Sequence, residues 1–365
     1  MPPHPLKACL VIAFTLASVG LLISPLLIVW LVLFRDTDNH TILVIGGYTN
    51  HTYANCSIQL LRPSNPDEVL VHPVPHQMYA PDGIHVDDLS VASVVRDEIV
   101  VSIPHEKNGQ RYTKKIDRFL RWHDAQSLQN DWKHYFTEGT HTAINGYMFV
   151  CAGAGRSDCA VYNPENDSWT TLNPTPAAAY EAFGREINNC QSVAVNETIC
   201  KLCAVGFNRR VVHDWYRHKR TRWQCLNPSF SQWRAQTAPK HRMSHALTVH
   251  QDTAVVCGGF LLTDQKGDKY NLSTSCERYN FSTDQWQAMP DMKEARYHFG
   301  LVSTGPWLYA LGGLQVPGSK RVRRTEDRVW SSSVEVYNGH SWTMTAMKLL
   351  RPRFKFKAFD FAPLV

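Results

Sequence analysis

Two short stretches of this 365-residue chain carry residue types able to do chemistry. Cys200-Lys201-Leu202-Cys203 has the spacing of half a zinc site, which needs a second cysteine or histidine pair to complete a tetrahedral set. There is no second CxxC, and no histidine pair is assigned to complete the set, so no metal and no cofactor is expected. Tyr297-His298 sets a phenol beside an imidazole, but no partner ligands that would make a metal site of them are assignable from the sequence. The remaining candidates are cationic. Arg209, Arg210, Arg217, Lys219, Arg220 and Arg222 interleave with Trp215, Tyr216 and Trp223, and Lys320, Arg321, Arg323 and Arg324 form a second cluster. Guanidinium groups beside aromatic rings suit acidic or sugar ligands, through bidentate hydrogen bonds and stacking. Solvated loop charge is the plainer alternative. The runs Arg217–Arg220 and Arg321–Arg324 also have the form of basic protease-processing sites, which need exposed loops. No catalytic residue is assigned, and the chain reads as a binder rather than an enzyme.

Elements that could hold such clusters repeat along the chain. CAVYNPENDSW (Cys159–Trp169) and CERYNFSTDQW (Cys276–Trp286) share Cys first, Tyr fourth and Trp last. Each follows an apolar, glycine-bearing segment: YMFVCAGAG before the first and AVVCGGF before the second. WLYALGGL precedes VEVYNGHSW in the same way. ICKLCAVGF precedes CLNPSFSQW, where Leu226 stands in the Tyr place, and ILVIGGY precedes CSIQLL. DEIVVSI with RFLRWHDAQSLQNDW is a unit without the glycine pair, placed by spacing and by Trp132. Periods of this length signal a repeat architecture.

The pattern of an apolar strand ending in Gly-Gly, a variable loop, a strand with Tyr, then Trp resembles the Kelch repeat. It is carried most fully by Gly258–Gly259 with Tyr279 and Trp286, and by Gly312–Gly313 with Tyr337 and Trp342. The resemblance covers about residues 42–362. It implies an all-β fold, a six-bladed β-propeller of four short strands per blade, with seven blades as the alternative. Arg353–Phe361 alternates like a strand and is expected to supply the missing first strand of the blade begun by ILVIGGY, closing the ring and removing an exposed edge. Loops between second and third strands (Phe207–Arg222, Phe260–Ser275, Leu314–Ser331) are the long ones. They carry the basic clusters, so one end of the propeller is expected to bind a protein or an acidic glycan. A Kelch-type propeller also resembles the scaffold of galactose oxidase, but His at the start of a first strand is ordinary for Kelch blades, and His245 sits like His298. The sequence has no S-x-D-x-G-x-x-W turns and no assignable arginine trio of a sialidase. A sugar-active ectodomain enzyme remains the alternative function.

Ten cysteines are present. Opposite positions on adjacent antiparallel strands bring Cβ atoms within disulfide reach. The expected bridges are Cys151–Cys159, Cys203–Cys225 and Cys257–Cys276 between second and third strands, with Cys190–Cys200 between first and second. Small buried thiols are the alternative. Cys56 is left over and either links two chains into a dimer or stays shielded. Cys9 reads as a thiol or an acylation site.

Residues 8–34 carry no charge, and 27 helical residues of this kind span about 40 Å, enough to cross a bilayer. The expectation is a cytoplasmic tail over 1–7, a signal-anchor over 8–34, a linker over 35–41 and an ectodomain over 42–365, with a cleaved signal peptide as the alternative. Lys7 and the amino terminus before the span, against Arg35 followed by Asp36 and Asp38 after it, favour the tail inside. Glycosylation sequons start at Asn39, Asn50, Asn55, Asn166, Asn196, Asn271 and Asn280, all after the span. The layout resembles viral attachment proteins of the neuraminidase and hemagglutinin-neuraminidase type in architecture only. A single-pass type II protein of the cell surface, secretory pathway or viral envelope is expected. The net charge of +6 is too modest to argue for nucleic acid.

Overall fold

The computed structural model describes residues 40–49, 52–53, 58–72, 91–104, 111–128, 140–151, 159–172, 187–205, 220–227, 232–262, 270–316, 328–361 and 363. The residues described from Thr41 onward belong to one compact unit. The span over 8–34 lies outside the described residues; among those that are described, no helix is long and apolar enough to cross a membrane.

Among the described residues, Thr41 onward builds β-sheets, of which six are four-stranded and antiparallel, each a meander in chain order except one. In that one, Lys357–Asp360 pairs with Ile42–Ile45, followed by Ile58–Arg62 and Asn65–His72. The register sets Ile42 opposite Asp360 and Ile45 opposite Lys357, so the carboxyl-terminal strand supplies the first strand of the amino-terminal sheet. The other first strands are Val91–Val95, Thr140–Ile144, Ile187–Val195, Ala246–His250 and Gly300–Thr304. Each lies against the first strand of the next sheet, and Lys357–Asp360 lies against both Gly300–Thr304 and Val91–Val95. The sheets therefore stand around a common channel lined by their first strands.

Every seam between successive sheets holds one apolar cluster. Leu43, Leu60, Ile99 and Ile116 fill one of them, and Ile42, Val44, Tyr309 and Leu311 fill the seam at which the carboxyl-terminal strand joins. A four-stranded sheet with apolar residues on both faces cannot bury them alone, and neighbours supply the cover. The register explains the repeated tyrosine and tryptophan. Tyr162 faces Trp169, Tyr279 faces Trp286, Tyr337 faces Trp342, and Leu226 faces Trp233 in the same relation. Three of these tryptophans then tie to the preceding sheet through the indole N–H. Trp169 donates to the Gln126 carbonyl at 2.8 Å, Trp286 to Thr237 at 2.9 Å and Trp342 to Pro290 at 3.1 Å. In the sheet that begins at Val91, Trp122 faces Ile116 and takes the place expected of Trp132, which lies outside the described residues.

Short turns close the first and second strands. Asn145-Gly146, Asn196-Glu197 and Gln251-Asp252 all have positive φ at both positions. Two such residues between paired strands make the turn whose twist matches that of a hairpin.

The glycine pairs sit where one sheet meets the lead-in of the next. The Gly259 amide donates to the Arg296 carbonyl at 2.7 Å, and the Gly313 amide to the Arg353 carbonyl at 2.9 Å. A Cβ on Gly259 would lie 2.3 Å from the Met243 carbonyl oxygen, and Gly259 has φ +75°. Close backbone approach and a left-handed conformation together demand glycine.

Two of the four expected disulfides form as expected, Cys151–Cys159 and Cys257–Cys276. The other two are exchanged: the bridges are Cys200–Cys225 and Cys190–Cys203, not Cys203–Cys225 and Cys190–Cys200. Cys225 faces Cys200 in register, whereas Cys203 faces Arg222. Residues three apart on a strand point to opposite faces, so Cys200 and Cys203 require different partners. A bulge between Asn188 and Gln191 shifts the register and lets Cys190 meet Cys203.

Candidate binding site at the channel mouth

Three successive lead-ins have the same layout: Arg242-Met243-Ser244-His245-Ala246, Arg296-Tyr297-His298-Phe299-Gly300 and Arg353-Phe354-Lys355-Phe356-Lys357. The arginine of each is buried and anchors the lead-in to a glycine carbonyl of the sheet that the lead-in opens. Arg242 Nη1 donates to the Gly258 carbonyl at 3.0 Å, Arg296 Nη1 to Gly312 at 2.8 Å and Arg353 Nη1 to Gly46 at 3.1 Å. Arg242 is further paired with Glu277 and Arg296 with Glu335, both carboxylates being buried. Glu335 also accepts the Lys293 and Glu294 amides. Gln59 holds the matching register position, two residues before a glycine pair on the facing strand, so Arg353 has no carboxylate in that place. Burial and the nearby Arg351 push Arg353 down to about 10.

Two residues after each arginine, the backbone turns left-handed. Ser244, His298 and Lys355 have φ of 53°, 52° and 55°. For residues with a side chain this conformation costs about 1–2 kcal/mol each. The His298 amide donates to the Ser244 carbonyl at 3.1 Å, and the Lys355 amide to the His298 carbonyl at 3.0 Å. A backbone rim thus runs from lead-in to lead-in around the start of the first strands.

The rim opens on a cavity of about 350 Å³ that reaches His141, Gln191, His245, His298, Lys355 and Lys357. A second cavity of about 340 Å³ follows along the channel, lined by Ser93, Thr142, Thr248, Ser303 and Asp360. First strands run from the first chamber into the second. No aspartate or glutamate lines the first chamber among the described residues. His245 is 2% exposed, and neither ring nitrogen has a hydrogen-bond partner among the described residues. Burial, with Arg242 and His298 nearby, pushes its imidazole down to about 3, so the ring is neutral at neutral pH.

An aromatic row flanks the rim. Phe260 and Tyr297 lie 4.7 Å apart, Tyr297 and His298 5.3 Å, His298 and Phe354 6.2 Å, and Phe354 and Trp330 4.7 Å. Tyr297 and His298 are therefore members of a packed row beside the chamber. Among the described residues, no group of three or more His, Cys, Asp or Glu could hold a metal ion.

The long connections between second and third strands leave from this same end. Val205 faces both Ile187 and Arg220, and Leu311 faces Gly300 and Val334. Connections emerging there lie beside the starts of the first strands. Their bases are structured: Phe260–Leu262 pairs with Tyr270–Leu272 and with Arg242–Met243, and Leu314–Gln315 pairs with Val329–Trp330. Arg220 lies in a strand rather than a loop. Trp223 is buried against Tyr279 and Trp286 and is core, not a stacking platform for a ligand. Arg209, Arg210, Trp215, Arg217, Lys320, Arg321, Arg323 and Arg324 lie outside the described residues. So do Cys9, Cys56, Asn39, Asn50 and Asn55. Asn166 and Asn196 are exposed in turns, whereas Asn271 and Asn280 are half-buried.

The basic chamber does not show in the linear sequence, because its members are spread from His141 to Lys357. The recurring arginine-led lead-in is the signal that could have found it.

Residues 241–293 match a model of the Kelch motif. The chain is 27% identical over 167 residues to Kelch-like protein terF of Aspergillus terreus, covering 45% of this chain and 34% of that protein. It is 21% identical over 283 residues to Kelch-like protein 25 of Xenopus tropicalis, covering 75% and 43%. It is 29% identical over 101 residues to Kelch-like protein 41a of Danio rerio, covering 28% and 14%. The chain thus matches less than half the length of each of these relatives. In shape it resembles the solved structure of YjhT, with a TM-score of 0.53 over 74% of this chain and 86% of that one, at 12% identity, a likeness of fold alone. The motif match, these relatives and the repeated geometry together support a Kelch-repeat β-propeller.

Proposed function

We propose that this chain is a six-bladed Kelch-like propeller, anchored in a membrane by residues 8–34 with its propeller on the lumenal or extracellular side. In this reading it binds a protein partner through the end of the propeller that bears the channel mouth, and it is not an enzyme. The observation that carries the docking end is the shared location of the basic chamber and the bases of the long second-to-third-strand connections. Binding on rigid scaffolds concentrates at such connections. The anchor is supported by the uncharged stretch from Ala8 to Phe34 and by the placement of every sequon after it. Side-specific photo-crosslinking tests the docking end. A crosslinking residue at Trp330, at the mouth, should capture a protein from the cell surface, and the same residue at Asp252, in an opposite-end turn, should not. Capture only from Asp252 overturns the docking end. Absence of any mobility change on glycosidase treatment of the cell-made chain overturns the lumenal placement.

A further inference from the structure

We propose that the end of the propeller away from the channel mouth is a lipid-docking surface, which meets the bilayer through two exposed aromatic side chains, Phe119 and Trp307. The inference rests on the membrane anchor of the reading above. It adds which face of the propeller meets lipid and which residues make the contact.

The chain enters the propeller at this end. Ile42 begins the second strand of the amino-terminal sheet and lies opposite Asp360, and the Phe361 amide donates to the Thr41 carbonyl at 2.9 Å. In other sheets a turn joins the first and second strands at this same place, as at Gln251-Asp252. Only residues 35–40 separate Phe34, the last residue of the uncharged stretch, from Thr41. Such a length of chain reaches no further than about 25 Å. An anchored chain therefore keeps this end near the bilayer, whatever path the linker takes.

The two sheets that flank the entry sheet each expose a large aromatic residue here. Leu43 and Leu60 of the entry sheet pack with Ile99 and Ile116 on one side, and Ile42 and Val44 pack with Tyr309 and Leu311 on the other. Phe119, in the third-to-fourth-strand turn of the first neighbour, is 50% exposed. Trp307, just after the Gly305-Pro306 turn of the second, is 42% exposed. The turn that carries Phe119 is rigid: Asp117 Oδ1 accepts the Phe119 amide at 2.8 Å and the Arg121 amide at 2.9 Å. Leu120 is buried and left-handed, with φ 59°, so this turn tucks the leucine in and presents the phenylalanine outward. A bulky residue in that region is an outlier, and such strain gathers at functional sites. Tryptophan is enriched at the headgroup level of membranes, where its ring is half in lipid and half in water. The arginines beside Phe119 are already paired, Arg118 with Asp97 and Arg121 with Asp117. The contact is therefore apolar in character and does not call for anionic lipid.

The sequons fit this placement. Asn166 and Asn196 are exposed in turns at the same end, but on the third and fourth sheets in chain order, across the channel from the entry sheet. Glycans there stand clear of a bilayer met from the entry side. Phe281, also exposed at this end, follows the sequon residue Asn280 and packs edge-on against Tyr279 at 4.7 Å. It lies outside the lipid contact.

The test uses the full-length chain in phosphatidylcholine vesicles, with a fluorescent amino acid at Ser64, an exposed residue in the third-to-fourth-strand turn of the entry sheet. Spin-labelled lipid should quench this reporter, and should not quench the same reporter placed at Trp330, at the mouth. Phe119→Asp with Trp307→Asp should cut the quenching at Ser64 by about twofold or more, because a charged side chain is costly at the apolar boundary. Melting midpoints should stay close to wild type, and Phe119→Ser with Trp307→Ser serves if the first pair fails to fold. No quenching at Ser64, equal quenching at Trp330, or quenching unchanged in the variants would overturn the docking surface. The anchor then stands as long as the chain floats with the vesicles after alkaline carbonate. A chain that carbonate releases overturns the anchor and this inference with it.

Discussion

The Lys355 amide donates to the carbonyl of His298 at 3.0 Å, and both residues are left-handed. Two strained residues in adjacent blades therefore hold each other, and the strain sits at the channel mouth rather than in the core. His298→Gly removes the steric cost of φ 52° and adds chain entropy to the unfolded state. The two effects are of similar size, so stability should change by no more than about 1 kcal/mol in either direction. Urea unfolding reads the change; a loss of stability well above this range would mean that the side chain holds the rim together.

Among the described residues, the seam closed by the carboxyl-terminal strand lacks the buried ion pair found at the two lead-ins before it. Arg353 Nη1 is bonded to the Gly46 carbonyl, yet its Nε and the Oε1 of buried Gln59 have no hydrogen-bond partners among the described residues. Gln59→Glu installs the carboxylate found at Glu277 and Glu335. Because Arg353 is already buried, the new charge compensates an existing one, and the variant should gain about 1–2 kcal/mol. The reciprocal change, Glu335→Gln, leaves Arg296 with only the part-exposed Glu294 as counter-charge and should lose about 2–3 kcal/mol. Urea midpoints of both variants at neutral pH decide the matter; a destabilised Gln59→Glu would sink the comparison between seams.

Much of this is legible in the sequence because the repeat is written in residues with narrow structural roles. Gly258–Gly259, Tyr279 and Trp286 stand where the sequence spacing puts them, and the alternation from Arg353 to Phe361 ends in the strand that completes the first sheet. Two kinds of information are missing from it. Register within the fourth sheet depends on a bulge near Cys190 that no local residue announces, so spacing alone mispairs both disulfides there. A unit without its glycine pair offers two tryptophans and no frame, so spacing selects Trp132 where the sheet uses Trp122. The chamber is hidden for another reason: a ring brings together residues from five stretches of chain, and spacing along one strand cannot show that.

The exchanged disulfides make a sharp chemical prediction. Peptide mapping of the non-reduced protein should return linked fragments for Cys200–Cys225 and Cys190–Cys203, and none for Cys203–Cys225. The bridges Cys151–Cys159 and Cys257–Cys276 close the bases of connections at the mouth, across sequence separations of 8 and 19. Replacing both cysteines of the longer bridge with alanine should cost about 3 kcal/mol, most of it from the loop entropy regained by the unfolded chain. Unfolding followed with and without reductant gives the number; equal midpoints would show that the cysteines are thiols in the native protein.

His245 also sets how the fold responds to acid. Its imidazole falls from an ordinary value of 6.5 to about 3 in the folded state, through burial first and then through Arg242 and His298. A depressed histidine contributes stability that is present above 6.5 and is lost as the pH falls toward 3, because only the unfolded chain takes up the proton in that window. The slope is up to about 1.4 kcal/mol per pH unit for one fully differential proton. His250, also pushed down by burial, acts in the same direction and stays in place as an internal reference. His245→Phe should therefore lower the acid-limb slope by close to one proton between about pH 6 and pH 4 without abolishing it. Urea unfolding at stepped pH measures this slope directly. An unchanged slope would mean that the ring already reaches solvent or an anion in the folded protein, in which case its two nitrogens are not orphaned.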